Sequence, residues 1–231
     1  MTDIRRGDYH VHSTFSDDAV STIAENIAAA SARGLTTLRL IDHVRASTTW
    51  VPQFVAAVAA EPVPDGLTVL TGVETKLMDS RGTLDLPAEL DGIDVVVIAD
   101  HQYPGPDGPW SPTETIARLA AGADRELVLD QLIAGLVAAM TRYPGNQLAH
   151  CFSILPKVGL SEDDLGEARL RVWAETAAAT GTLVEINEKW RCPGPLAQHA
   201  ARAAGVRLVA ASDAHVATDV GVYSFVAEAA S

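Results

Sequence analysis

The sequence predicts an α/β fold: a closed or nearly closed parallel barrel of seven strands. Three observations predict it. Short apolar, β-rich runs alternate with helix-like runs seven times along the 231 residues, the pattern of a mostly parallel sheet. Those runs end in chemistry-bearing residues: DYHVH, TTLRLIDH, LTVLTGVE, IDVVVIADH, NQLAH and VRLVAASDAH. The first and last strands both carry such residues. Bringing them to one pocket, at the carboxyl ends of the strands where the sites of these folds lie, favours closure over an open sheet.

The elements follow in order. Residues 8–12 read as the first strand and 22–34 as the first helix, closed by Gly34. Residues 37–43 form strand two, 50–61 helix two and 67–77 strand three. The segment 76–87 predicts a hairpin excursion turning at Ser80–Gly82. Strand four covers 93–100, and the Pro- and Gly-rich stretch 102–112 reads as a loop at the pocket mouth. Helices are expected around 113–120 and 123–142, strand five over 146–152, and a helix over 161–180 opened by Ser161 with Asp164 three residues on. Strand six is 182–187, a helix with proline near its start is 195–205, strand seven is 206–213, and a tail helix spans 218–229. No repeat or linker interrupts this order, so one domain over residues 1–231 is expected.

Composition narrows the function. Hydrophobic residues make up 48% of the chain, an ordinary globular share. No apolar stretch approaches the ~18 residues of a membrane span. The opening MTDIRRGDYHVHS runs straight into the first motif and leaves no room for a signal peptide, so a cytoplasmic location is expected. Neither Cys151 nor Cys192 belongs to a C-x-x-C pair, and Cys151, which follows His150, reads as a buried small hydrophobe. The formal charge of −13 argues against a nucleic-acid partner, because phosphate backbones would be repelled.

The strand ends supply metal-ligand chemistry. His10 and His12 share one face of a strand, as do Asp213 and His215, because side chains repeat every two residues. Glu74 follows a buried run, and its two oxygens suit it to bridge two ions. His43, His101 and His150 each end a run in the same way, whereas His199 sits inside a helix and reads as a packing or surface residue. Asp17 and Asp18 follow the first strand closely; Asp17 can reach back to the pocket and Asp18 can cap the next helix. Neutral imidazoles and carboxylates together are a divalent-metal donor set. For an anionic substrate, Lys189 and Arg191 beyond strand six and Arg45 beyond strand two are the candidate cations. Trp190 and Trp110 are candidates to line the mouth.

The ordered motifs H10-V-H12-S-T-F-S-D17, D42-H43, G72-V-E74, H101, H150 and S212-D213-A-H215 resemble those of the PHP (polymerase and histidinol phosphatase) family, across residues 8–215. The resemblance implies a distorted (β/α)7 barrel, up to three divalent metals (zinc, manganese or iron) and phosphoester hydrolysis. It further implies that His10, His12, Glu74 and Asp213 hold one ion, that Glu74, His101 and His150 hold a second, and that Asp17, His43 and His215 hold a third. Two positions depart from many relatives: Asp18 stands where they have glycine, and Cys151 where they have proline.

The expected function is hydrolysis of a small phosphate monoester, for which histidinol phosphate is one candidate, with Glu74, Asp213 and His215 as the catalytic set. Two alternatives use the same residues. One is a phosphodiesterase or 3′–5′ exonuclease, the other a noncatalytic metal-stabilised module.

Overall fold

The structure, a computed structural model, describes residues 3–230. In chain order its elements are β1 (Gly7–Val11), α1 (Ile23–Ala32), β2 (Thr37–His43), α2 (Val51–Ala60), β3 (Thr68–Lys76), β4 (Val95–Ala99), β5 (Tyr103–Gly105), β6 (Gly108–Trp110), α3 (Pro112–Ala120), α4 (Arg125–Arg142), β7 (Gln147–Ala149), α5 (Ile154–Lys157), α6 (Gly166–Thr180), β8 (Leu183–Asn187), α7 (Pro195–Ala203), β9 (Leu208–Ala211) and α8 (Phe225–Ala229). Seven strands form one all-parallel sheet in the order β1-β2-β3-β4-β7-β8-β9. The ends of that sheet meet: His12 N donates to Ala214 O at 2.9 Å, and Asp213 N donates to His10 O at 2.9 Å. The sheet is thus nearly closed into a barrel, as the sequence predicts.

Strand periodicity sorts the side chains into two sets. On β4, Val96 and Ile98 pack outward against helices, while Val95, Val97 and Ala99 point inward and cluster with Ile41 and Ala149. On β2, Leu38 and Leu40 face outward, leaving Arg39, Ile41 and His43 inward. Gly72 lies on the inner face of β3; a Cβ there would stand 3.0 Å from side-chain atoms of both Ile41 and Val95, which would have to yield by a few tenths of an ångström. Glu74, two residues on, shares that inner face.

The helices cover the outside. Leu129, Leu132 and Leu136 of α4 pack with Trp173 and Ala177 of α6 and Ala197 and Ala201 of α7. Each fully buried leucine contributes roughly 1.5–3 kcal/mol relative to exposure. Ile23, Ile27 and Ala30 of α1 pack with Phe54 and Val58 of α2 over β2. A reciprocal box starts α1: Glu25 N donates to Thr22 Oγ1 at 3.2 Å, and Thr22 N donates to Glu25 Oε2 at 2.8 Å. The excursion after β3 turns where the sequence predicts. Gly82 adopts φ +77°, and a Cβ on it would come 2.4 Å from Ala139 N, so glycine lets the turn dock on α4.

Three expectations change. The loop 102–112 contains the antiparallel β5–β6 hairpin, closed by Gly105 and Gly108. The expected strand 146–152 ends at Ala149, and the chain turns through His150 into α5. The tail helix shortens to α8, because Ala217–Asp219 forms a separate 3-10 turn and Ser224 precedes the helix. No helix of the described residues is long and apolar enough to cross a membrane.

Candidate metal centre

At the carboxyl end of the barrel, ligand atoms gather into three groups: His10, His12 and Asp213; Glu74, His101 and His150; and His12, His43 and His215. Within each group these atoms lie within 4.8 Å of one another. Glu74 sits between the groups with its oxygens divided. Oε1 lies 3.0 Å from His150 Nε2 and 3.2 Å from His101 Nε2. Oε2 lies 2.9 Å from His43 Nδ1, 3.4 Å from His10 Nε2 and 3.5 Å from His12 Nε2.

These residues fit divalent cations on an observation independent of their identity. Glu74 Oε2 is buried and has no hydrogen-bond partner, although three imidazoles face it. A buried carboxylate oxygen in that position is costly unless a positive charge meets it. The Nε2 atoms of His10 and His12 also face each other at 2.9 Å, so two lone pairs oppose unless one ring carries a proton there or a cation takes both.

The electrostatics point the same way. Burial opposes charge on His10 and His150, but carboxylates prevail: Glu185, Glu74 and Asp213 hold His10 well above the usual imidazole range, and Asp100 and Glu74 push His150 up to about 10. Burial wins at His12, which falls to about 3. Burial also works against the charges of Glu74 and Asp213, yet the histidines keep both well below the usual carboxylate range, His101 and His10 for Glu74 and His10 and His12 for Asp213.

Behind the ligand rings stands a row of acceptors. His10 Nδ1 lies 2.8 Å from Glu185 Oε1. His150 Nδ1 lies 3.2 Å from Ser153 Oγ, which donates to Asp100 Oδ1 at 2.9 Å. His12 Nδ1 lies 3.2 Å from Ser16 Oγ, which donates to Asp42 Oδ1 at 2.6 Å. Such partners fix ring orientation and leave the other nitrogen for the pocket. In the sequence, Ser16 and Asp42 stand within the resembling motifs but carry no assigned role, and Glu185, Ser153 and Asp100 carry none either. Glu185 was visible as a carboxylate inside the apolar run TLVEIN, and Asp42 and Asp100 as the acids preceding His43 and His101.

The backbone is strained in the same place. Among the described residues, the non-glycine positions with positive φ are His150 (28°), Phe152 (73°), Arg191 (52°) and Asp213 (55°). Two of these are members of the clusters, and the other two sit beside them in turns. Strain persists where surrounding contacts over-determine it. Trp190 illustrates such a contact: its Nε1 donates to Asp213 Oδ2 at 2.9 Å.

Several sequence expectations are redistributed. Asp18, rather than Asp17, stands against the histidines, 3.3 Å from His215 Nε2 and 3.5 Å from His43 Nε2. Asp17 lines the adjoining cavity of about 400 Å³ but makes no such pair. Lys189 and Arg45 line the cavity, with Lys189 Nζ 3.2 Å from His215 Nδ1 and 3.5 Å from Asp213 Oδ1. Arg191 leaves the set. The turn that closes with Asn187 N donating to Cys192 O sends Lys189 and Trp190 into the cavity and Arg191 outward, 3.6 Å from Glu228. Trp110 stacks on Tyr103 beneath Arg118, away from the cavity. Lys76 lines the cavity too; the sequence places it at the end of strand three, where the excursion begins, and assigns it no role.

Comparison with known proteins places the chain in a family and gives it a fold relative. The PHP domain model matches residues 8–189. A protein named as a probable phosphatase from Caldanaerobacter subterraneus subsp. tengcongensis is 27% identical over 226 residues, covering 93% of this chain and 78% of its own length. One of the same name from Shewanella sediminis is 26% identical over 222 residues, covering 94% and 81%. In fold, the chain is similar to the histidinol phosphate phosphatase of Lactococcus lactis subsp. lactis, solved with zinc, L-histidinol and phosphate. That match has a TM-score of 0.64 at 16% identity and covers 97% of this chain and 94% of the other. Matched across most of its length, the chain belongs to the PHP domain family.

Proposed function

We propose that the protein is a metal-dependent phosphatase that hydrolyses a small phosphate monoester at a centre of up to three divalent ions. The observation that carries this reading is the division of Glu74: one oxygen faces His101 and His150, the other His10, His12 and His43. A carboxylate so placed is suited to bridge neighbouring cations. Asp213 with His10 and His12 would complete one position, His101 and His150 a second, and His43 and His215 with Asp18 a third.

Divalent ions bound there would supply Lewis acidity, polarising phosphoryl oxygens and lowering the pKa of water toward ~7. The chain's own groups do the rest. Lys189, at the cavity wall beside Asp213 and His215, presents an ammonium to the phosphate oxygens. Asp213, held ionised by the neighbouring histidines and fixed by Trp190, would serve as a charged ligand, and the proton that the attacking water releases passes to solvent at the cavity mouth. His215 is oriented by the Asp213 carbonyl, 2.9 Å from its Nδ1. In the reaction the water oxygen bonds to phosphorus, the ester P–O bond breaks, and the departing alkoxide takes a proton from water at the open mouth.

The test is release of inorganic phosphate from a panel of small monoesters with added manganese or zinc. Histidinol phosphate belongs in the panel, because the Lactococcus lactis protein was solved with L-histidinol and phosphate. Turnover that disappears on His101→Ala is expected. Silence across the panel, with ions verified in the protein, would overturn the reading.

A further inference from the structure

Two cations, Arg45 and Lys76, line the cavity without an ion-pair partner. In the β2–β3 register His43 pairs with Glu74, and Val44 N donates to Glu74 O at 2.9 Å. Arg45 lies two residues past the end of β2, and Lys76 is the last residue of β3; both line the cavity. Among the described residues neither side chain makes an ion pair or a hydrogen bond. That is unusual in a chain with 30 acidic and 17 basic residues, where acids to pair with are plentiful. Like charges facing one cavity repel, and the arrangement is relieved when an anion lies between them.

The opposite wall carries a different cation. Lys189 follows β8, which the sheet order separates from β3 by β4 and β7 and from β2 by β1 and β9. Lys189 touches Asp213 and His215, so it belongs to the clustered side chains, whereas Arg45 and Lys76 stand beyond His43 and Glu74 and touch neither. The nearby acids form no ion pair with either cation: Asp18 is engaged by His43 and His215, Asp17 pairs with neither, and Asp85, whose N donates to Lys76 O, accepts from Ala46 N at 2.8 Å.

We propose that Arg45 and Lys76 form a second anion subsite, which reads an acidic group on the alcohol portion of the substrate. The preferred substrates are then phosphate monoesters that carry a further carboxylate or phosphate. The phosphate to be cleaved meets the clustered side chains and Lys189, and the second acidic group meets Arg45 and Lys76. This rests on the phosphatase reading above and adds the class of leaving group.

The test uses three substrates on one carbon skeleton: glycerol 3-phosphate, 3-phosphoglycerate and propane-1,3-diol bisphosphate. KM for at least one of the two acidic substrates is expected to be roughly tenfold or more below that for glycerol 3-phosphate, as a charge-assisted contact provides. Which of the two is favoured separates a carboxylate from a phosphate as the group recognised. In Lys76→Met and Arg45→Met the ratio of the two KM values should collapse toward one, and because the ratio is internal to each variant, partial misfolding does not mimic it. Equal KM values in the wild type, or a ratio unchanged by both substitutions, would overturn the subsite while leaving the phosphatase reading standing. No turnover of any of the three, or of the monoester panel, would overturn both.

Discussion

Glu185 Oε1 lies 2.8 Å from His10 Nδ1, and both side chains are fully buried inside the barrel. The carboxylate is itself held from several sides. Gln147 Nε2 donates to Oε1 at 2.5 Å, while His150 N and Asn187 Nδ2 donate to Oε2 at 3.1 Å each. Arg39 hydrogen-bonds the Gln147 carbonyl oxygen from below, which turns the amide nitrogen toward Glu185. A chain of polar groups therefore runs along the barrel interior and ends on a ring that faces Glu74.

Glu185→Leu should weaken divalent-ion binding about 10- to 100-fold, the usual effect of losing a carboxylate behind a ligand histidine. Competition with a chromogenic chelator measures it, with circular dichroism to verify the fold. Affinity equal to that of the wild type would show that His10 needs no such support.

Trp190→Phe removes the Nε1–H that donates to Asp213 Oδ2 and keeps most of the ring on which Lys157 rests, 3.9 Å from its centroid. Losing one hydrogen bond to a charged group costs about 1.5–3 kcal/mol. A fall in kcat of roughly tenfold or more is expected in the fraction that remains folded. A stable variant with full kcat would remove Trp190 from the set of groups that position Asp213.

Protons and metal ions should compete at this centre. His10 and His43 are raised above the ordinary imidazole value and His150 reaches about 10, so without an ion these rings hold protons more tightly than a free imidazole does. A ligand nitrogen must shed its proton before it binds an ion. The sign follows: raising the pH removes the competitor, so apparent affinity strengthens from about pH 6 to about pH 9 and binding releases protons. Titration calorimetry in buffers of differing ionisation enthalpy reports both. Affinity that is flat or falls over that range would contradict the assignment of these rings as ligands.

Much of this was legible in the sequence because strands write their geometry in a period of two. Apolar runs ending in His43, Glu74 and His101 fix both the strand and the face on which its last residue points, and adjacent parallel strands then bring those ends together. Turns obey no such period. Whether Asp17 or Asp18 meets the histidines, and whether Lys189 or Arg191 enters the cavity, depends on single φ values such as the +52° of Arg191, which composition does not reveal. Glu185 was overlooked for another reason. Its place in the middle of a strand sets it below the rim, where an acid matters only through the ring it orients.

The central claim is that Glu74 is shared between separate groups of ligands. Metal analysis of the purified protein and of Glu74→Gln, by mass spectrometry of ions per folded chain, tests it most directly. We expect about two to three ions in the wild type, and in the variant the loss of more than one, because removing the shared charge empties neighbouring positions together. A wild type with no bound ion after loading with zinc or manganese, or a Glu74→Gln protein that keeps the full complement, would contradict the account.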